Sequence, residues 1–266
     1  MNTSEEQAAL DERSQEALAL ANIILAKDPS NPDALHGMGL VLLSANRVDE
    51  AVIAFDRAMK HAPGRTDISQ KLCQALDQQA KKLADEGNLQ EAAALLERAI
   101  DMVPGEISFF QHLAFVLCRM KNFAMALAIA DQALESTPSH GGLLGVKGLA
   151  LGGLERTKEA VACLNQAIEL EPELVSAHIN LGAALMAGGD IGPARKRLDH
   201  ALGLSGDDAM AYNNLGLVCM AELDMKGAAN NLRQAISLDP DFAEAHYNLS
   251  MALLMDGEFK DGWVEY

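Results

Sequence analysis

Three asparagines recur at intervals of 34 residues in the second half of the chain, at Asn180, Asn214 and Asn248. A carboxamide both donates and accepts hydrogen bonds, so a column of amides could hold the backbone of an extended peptide without reading its side chains. Each such bond contributes only about 0.5–1.5 kcal/mol net, so three of them would position a peptide with modest affinity. The alternative interpretation is that asparagine merely suits an exposed helix face.

A set of apolar residues, rich in methionine, recurs beside the asparagine column. Because a thioether side chain repacks easily, such a surface would adapt to apolar segments of a partner. The predicted peptide-binding residues that join the asparagine column are Asn213, Tyr247, Phe115, Met186, Leu217, Met220, Met251 and Met255. The competing interpretation is that several of these residues form the core between helices.

The sequence shows no pattern of residues that is typical of a catalytic site. The sequence has no GxSxG, P-loop or HExxH motif and no GxGxxG after a strand pattern. Its seven histidines never form an i, i+4 pair with a further ligand, and its four cysteines never approach a CxxC spacing. We therefore predict that the chain is not an enzyme by itself, with no catalytic residue, no metal ligand and no cofactor.

The charge of the chain restricts its partners. Its 266 residues include 21 Lys and Arg against 38 Asp and Glu, a formal net charge of −17. Phosphate-rich partners would be repelled, so we expect neither nucleic acid nor an anionic membrane surface. The acidic N-terminus does not resemble a secretory signal, and the longest apolar run, Leu18–Ala26, is too short to span a bilayer. We predict a cytoplasmic protein with protein or peptide partners.

The spacing of the prolines reveals an internal repeat. Pro104, Pro138 and Pro172 follow one another at intervals of 34 residues, and Pro240 lies 68 residues further on. The skipped place holds Gly206, another residue that ends helices. A fixed period of this length is typical of repeat proteins.

Small residues occupy fixed columns in this period. We number each residue by its position within the 34-residue unit. Position 8 holds Gly39, Ala80, Ala114, Gly148, Gly182, Gly216 and Ser250. Alanine occupies position 20, at Ala51, Ala92, Ala126, Ala160, Ala194 and Ala228, and position 27, at Ala58, Ala99, Ala133, Ala167, Ala201 and Ala235. Apolar periodicity predicts one helix over positions 2–14 and a second over about 18–30, so each unit is a helical hairpin.

This pattern resembles the tetratricopeptide repeat, which has a small residue at position 8, alanine at 20 and 27, and proline at 32. The resemblance implies an all-α fold, a right-handed α-solenoid of stacked hairpins with a concave peptide-binding groove. It predicts about seven units over residues 32–266, starting at residues 32, 73, 107, 141, 175, 209 and 243, the last one truncated. Residues 1–31 would form a degenerate N-terminal capping repeat, with Ala17 at position 20.

Two units depart from the pattern. Seven extra residues, at 64–70, amount to about two helical turns, so we expect a long, protruding first helix in the unit that contains Cys73. The first helix of the unit from Gly141 carries five glycines, each of which costs up to about 1 kcal/mol in a helix. That helix is predicted to be locally weak, either as a hinge or through tolerated drift.

The segment Gly257–Tyr266, GEFKDGWVEY, resembles the G-x-F-x-x-G-W-x-x-Y sequence that often closes bacterial tetratricopeptide arrays. In those proteins it commonly leads into a glycosyltransferase domain of the O-linked N-acetylglucosamine transferase or Spindly type, and some relatives modify flagellin. The asparagine column is similar to the asparagine ladder of the same transferases. The alternative is that the motif is only a repeat variant found in independent adaptors.

The resemblance implies a scaffold that recognises the acceptor of a bacterial protein glycosyltransferase, with a catalytic domain beyond residue 266. The asparagines would hold an extended acceptor, and replacing all three by alanine would weaken binding without lowering the melting temperature. The rival hypothesis is a stand-alone adaptor or chaperone that shields a helical segment of a secretion or organelle protein. An apolar final segment, with Trp263 and Tyr266, is also compatible with a homodimer.

Overall fold

The computed structural model describes residues 3–266, with side chains from residue 13 onward. Over that range the fold is all-α, so the predicted fold class is confirmed. The helices are α1 (Thr3–Lys27), α2 (Pro32–Ser44), α3 (Val48–His61), α4 (Thr66–Asp85), α5 (Leu89–Met102), α6 (Ile107–Arg119), α7 (Phe123–Ser136), α8 (Gly141–Gly153), α9 (Thr157–Leu170), α10 (Val175–Ala187), α11 (Ile191–Ser205), α12 (Ala209–Ala221), α13 (Met225–Leu238), α14 (Ala243–Asp256) and α15 (Phe259–Glu265).

The chain forms two compact units, residues 1–120 and residues 121–266. The first unit contains α1 to α6 and the second contains α7 to α15. The division falls inside the repeat predicted to start at Ile107. Within the second unit, each helix packs mainly on the helices that precede and follow it in sequence.

The residues at position 8 are small for a steric reason. In the second unit a methyl group placed on Gly148, Gly182 or Gly216 would lie 2.4–2.6 Å from the Cγ atom of a leucine on the second helix of the same hairpin. Those leucines, Leu164, Leu198 and Leu232, are fully buried at position 24. A side chain at any of these three glycines would force the two helices apart, because a packed interior has no spare volume.

The alanine columns complete the hairpin core. All six alanines at position 20 are fully buried, and the six at position 27 are at most 2% exposed. A larger side chain at either position would overpack the contact, which typically costs about 1–3 kcal/mol.

The turn inside every hairpin has the same backbone conformation. The residue at position 15 has a left-handed φ of 57–87° in all seven hairpins. Glycine fills this position in three turns, at Gly87, Gly189 and Gly257. Four turns use residues with side chains instead, at Asn46, Lys121, Glu155 and Leu223.

The predicted capping repeat is a single long helix, α1, followed by a turn; residues 1 and 2 of that repeat lie outside the described part of the chain. Ala17, at position 20, is exposed, whereas Ala21, at position 24, is buried and Leu25 packs on the cluster formed by Leu35, Ala58 and Ile68. Position 24 is also buried in the later hairpins, for example at Leu164, Leu198 and Leu232.

The seven extra residues do lengthen one first helix, since α4 has 20 residues. The added turns do not protrude as expected. Ile68 and Leu72 are fully buried, and Ile68 packs against Leu35 of α2 and Ala58 of α3. The insertion therefore enlarges the core of the first unit, because its apolar residues fall on the buried side of α4.

Helix α8 is continuous from Gly141 to Gly153 despite its glycines. At Gly141, Gly148 and Gly153 a methyl group would collide with Glu171, Leu164 and Phe123 respectively. These three glycines permit close packing, which accounts for much of the unusual composition. A methyl group on Gly152, in contrast, would meet no atom within 4 Å.

Candidate peptide-binding surface

The first helices of the hairpins in the second unit, α8, α10, α12 and α14, pack side by side. We call the residues at positions 6, 9, 12 and 13 of these four helices the first-helix face. Its members are Val146, Leu149, Gly152, Gly153, Asn180, Ala183, Met186, Ala187, Asn214, Leu217, Met220, Ala221, Asn248, Met251, Leu254 and Met255. None of the sixteen is charged, although the chain as a whole carries a net charge of −17.

The asparagine column is less accessible than its spacing suggests. Asn180 is half-buried, whereas Asn214 and Asn248 are each only 7% exposed. The Nδ2 atom of Asn248 donates a hydrogen bond to Oδ1 of Asn213, at 3.0 Å, across the interface between α14 and α12. Asn248, one member of the asparagine column, therefore links two helices of the protein.

Asn213 lies entirely inside this interface. It is fully buried, and its Nδ2 atom has no hydrogen-bond partner among the described residues. Its amide therefore positions Asn248 and is not presented to a ligand. Removing Asn248 would leave the buried carbonyl of Asn213 without a donor, which usually costs about 1–3 kcal/mol. The expectation that all three asparagines can be replaced without loss of stability therefore does not apply to Asn248.

The apolar residues of the first-helix face are shared between the surface and the core. Met186 and Met220 are half-buried, and each packs against a buried cluster of neighbouring helices. Leu217 and Met251 are also half-buried, and Met255 is 54% exposed. A partner would therefore contact the outer part of these side chains, and the thioethers could adjust to it.

A small cavity opens on this face between α8 and α10. Its volume is about 160 Å³, and it is bordered by Leu149, Gly152, Asn180 and Ala183. The absence of a side chain at Gly152 keeps it open. The cavity thus combines one amide with a small apolar recess.

Two predicted binding residues are not among the sixteen residues of the first-helix face. Phe115 is 45% exposed on α6 and belongs to the first unit. Tyr247 is 51% exposed on α14, and its ring centroid lies 6.2 Å from that of Tyr266. Tyr247 therefore lies beside the segment around α15.

A polar cluster in the first unit was not predicted. Oδ1 of Asp77 lies 2.5 Å from Nδ1 of His112, and its Oδ2 lies 2.9 Å from Nζ of Lys81. Burial acts to raise the pKa of Asp77, but the hydrogen bonds with His112 and Lys81 hold that pKa below its ordinary value. The i, i+4 spacing of Asp77 and Lys81 was visible in the sequence, whereas their meeting with His112 depends on how α4 packs against α6.

The described residues contain no group of three or more His, Cys, Asp or Glu side chains placed to hold a metal ion. The four cysteines are free, and burial raises the pKa of Cys73 to about 11 and that of Cys118 to about 12. Both thiols are therefore protonated and unreactive near neutral pH. From residue 3 onward, no helix is long and apolar enough to cross a membrane.

Family models match most of the repeats. A model described as "Tetratricopeptide repeat" matches residues 8–76 and 83–143, and a second, described as "TPR repeat", matches residues 153–189 and 224–257. No curated protein sequence matches this chain.

Solved structures share the fold at low sequence identity. A tetratricopeptide repeat protein from Parabacteroides merdae has a TM-score of 0.67 at 15% identity, over 92% of this chain and 98% of its own. A thermophilic protein of the same kind from Thermus thermophilus has a TM-score of 0.62 at 20% identity, over 68% of this chain and 99% of its own. PilW, described as a type IV pilus biogenesis factor, has a TM-score of 0.59 at 18% identity, over 73% of this chain and 90% of its own. These likenesses concern the fold alone.

Proposed function

The chain belongs to the tetratricopeptide repeat family, whose members are scaffolds for protein interaction, and we propose that its first-helix face binds an uncharged, apolar segment of a partner protein. One observation carries this proposal: none of the sixteen residues of the face is charged in a chain with 38 acidic residues. A charged segment buried there would lose hydration without gaining an ion pair, which disfavours it strongly. An apolar segment loses no comparable free energy of hydration when it is buried there.

The segment binds in an extended conformation. Extended backbone has unpaired N–H and C=O groups, and the amides of Asn180 and Asn214 can satisfy both kinds of group. The apolar side chains of the segment contact Met186, Leu217, Met220 and Met251. The cavity beside Asn180 accepts one small or aliphatic side chain.

We further propose that this face recognises the acceptor of a bacterial protein glycosyltransferase that works in the cytoplasm, flagellin being a candidate acceptor. The resemblance of Gly257–Tyr266 to the closing segment of such arrays supports this role, as does the asparagine column. The chemistry would belong to a catalytic domain outside residues 1–266. The rival role, an adaptor for assembly of a secretion or organelle complex, would instead use the face to shield an amphipathic helix.

Binding can be measured on an array of overlapping synthetic peptides that cover a bacterial flagellin. We expect the protein to retain uncharged apolar peptides, and to release them when one central residue is changed to lysine or glutamate. Asn180→Ala with Asn214→Ala should weaken retention by about tenfold, since two bonds of about 0.5–1.5 kcal/mol are lost. Asn230→Ala is the matched control, because Asn230 is exposed on α13, away from the first-helix face.

Unchanged retention by the double variant would remove the asparagine column from the mechanism. Equal retention of charged and uncharged peptides would overturn the proposed specificity. The glycosyltransferase role is tested separately, by supplying nucleotide sugars to the protein at its natural length together with a retained peptide. Absence of transfer, combined with a helical circular dichroism spectrum of the bound peptide, would favour the adaptor.

A further inference from the structure

The cavity between α8 and α10 lies at a repeat position where the next two first helices carry a methionine. Position 12 holds Met186 in α10 and Met220 in α12, but Gly152 in α8. Met186 packs against a buried cluster that includes residues of α12, and Met220 packs against one that includes residues of α14. The corresponding place beside α10 is open, since a methyl group on Gly152 would meet no atom within 4 Å.

The facing wall of the cavity also carries a small residue. Ala183, at position 9 of α10, borders the cavity, whereas the same position holds Leu217 in α12 and Met251 in α14. The backbones of α8 and α10 pack at least as closely as those of α10 and α12. The space of about 160 Å³ therefore comes from missing side chains and not from a wider separation of the helices.

The size and lining of the cavity restrict what can fill it. A protein cavity of about 150 Å³ is large enough to hold benzene, so this one admits a side chain of the size of Leu or Met. Its only polar lining side chains are the hydroxyl of Thr157 and the amide of Asn180, and no charged side chain lines it. A charged side chain would lose its hydration there without gaining a counter-ion.

We propose that this cavity, bordered by Leu149, Gly152, Asn180 and Ala183, receives one Leu or Met side chain of the partner segment. We call it the anchor pocket. The inference rests on the proposed function of the first-helix face and deepens it. The amides of the asparagine column bind backbone groups, so they leave the register of the segment open. The anchored side chain sets that register, and partner segments share one Leu or Met at a fixed place.

Short fluorescein-labelled peptides with capped ends serve as probes. They consist of Ser and Ala, which are too small to fill the anchor pocket, around one central residue that is Leu, Met, Ala, Gln, Lys or Trp. By fluorescence anisotropy, the Leu and Met peptides should bind about tenfold or more tightly than the Ala peptide, because each methylene group buried in an apolar pocket strengthens binding severalfold. The Gln, Lys and Trp peptides should bind no more tightly than the Ala peptide.

Gly152→Met gives α8 the residue that α10 and α12 carry at the same position. Its Cβ atom meets no atom within 4 Å and glycine is a poor helix former, so the melting temperature should not fall. The preference for the Leu peptide over the Ala peptide should disappear, because the new side chain occupies the anchor pocket. Ala183→Leu, which copies Leu217 of α12, narrows the pocket from the other side and should also reduce the preference.

Gly203→Met is the matched control. Gly203 is exposed near the C-terminal end of α11, and a methyl group there would likewise meet no atom within 4 Å. It does not belong to the first-helix face. This variant should keep the full preference for the Leu peptide.

Three results would overturn the proposal. The first is equal binding, or no binding, of the Leu and Ala peptides. The second is equally tight binding of the Met and Gln peptides, which have nearly the same shape and differ in polarity. The third is an unchanged preference in both Gly152→Met and Ala183→Leu. The array of flagellin peptides tests the first-helix face without reference to these probes, so failure of the anchor pocket is distinguishable from failure of the face.

Discussion

His178 and His246 occupy the same repeat position, position 4, but their protonation is driven in opposite directions. Both lie with Nε2 near the carbonyl oxygen of the preceding repeat proline, at 2.8 Å from Pro172 and 3.1 Å from Pro240. The Nδ1 atom of His246 meets Glu265, so both ring nitrogens face acceptors, and the hydrogen bond to Glu265 is the main reason that the pKa of His246 is raised. The Nδ1 atom of His178 is buried without a partner among the described residues.

Burial is the main reason that the pKa of His178 is lowered, and the nearby ring of His200 adds to the effect. The unfolded chain binds a proton at this histidine near pH 6.5, whereas the folded chain resists it. Acidification below about pH 6.5 should therefore lower the melting temperature. His178→Leu, which copies the residue at position 4 of α8, should reduce that loss. An acid profile identical to that of the unmodified protein would show that other groups control it.

The effect of pH on stability has the opposite sign at His246. Its raised pKa contributes stability that is present below about pH 6.5 and is lost as the pH rises through the folded-state value. His246→Gln should therefore cost more stability at about pH 6 than at about pH 8, which the same melting series measures. Neither effect could be predicted from the sequence. The period places both histidines in one column, but Glu265 and His200 come from other helices.

At the scale of the helix and turn, the sequence predicts the hairpins well because their packing is local. Position 8 meets position 24 of the same hairpin, so its small residue reappears in every unit whatever lies next to it. The turn at position 15 was not predicted. The sequence does not reveal the left-handed φ at this position, because only three of the seven turns have glycine there.

Leu223 shows what this turn costs. It has φ of 63° and is 78% exposed, so its side chain offers almost no packing in return for the conformation. Leu223→Gly should raise the free energy of unfolding by about 0.5–1 kcal/mol, because glycine removes a left-handed cost of about 1–2 kcal/mol and adds an entropic cost of about 0.5–1 kcal/mol. Urea titration measures the change.

Gly189→Leu is the reverse exchange at the same repeat position. A methyl group there would meet no atom within 4 Å, so conformation alone decides the result. It should destabilise the protein by a similar amount. A loss of stability in Leu223→Gly would show that Leu223 makes contacts that outweigh its φ.

The two compact units were not predicted either, since the repeat columns run through residue 120 without a break. Columns report packing within a hairpin, whereas compactness depends on how neighbouring hairpins fit. Likewise, the columns place Ala17 at position 20 but do not show whether α1 buries that position, and Ala17 is exposed.

Charge is a property of the whole molecule and opposes its compact state. Ion pairs on the surface contribute little, about 0–1 kcal/mol each, and pairs such as Arg47–Glu50 and Lys82–Asp49 are about half exposed. They cannot offset a net charge of −17, whose mutual repulsion is relieved when the chain unfolds and expands.

Salt should therefore stabilise this protein, because screening weakens the long-range repulsion of many carboxylates more than it weakens a few close ion pairs. Urea, which is uncharged, keeps the ionic strength independent of the denaturant. We expect the urea midpoint to rise between about 0.01 M and about 0.5 M NaCl, a range over which the screening length falls severalfold. KCl should give the same rise, since the effect depends on ionic strength and not on the cation. A falling midpoint would mean that the ion pairs outweigh the net charge.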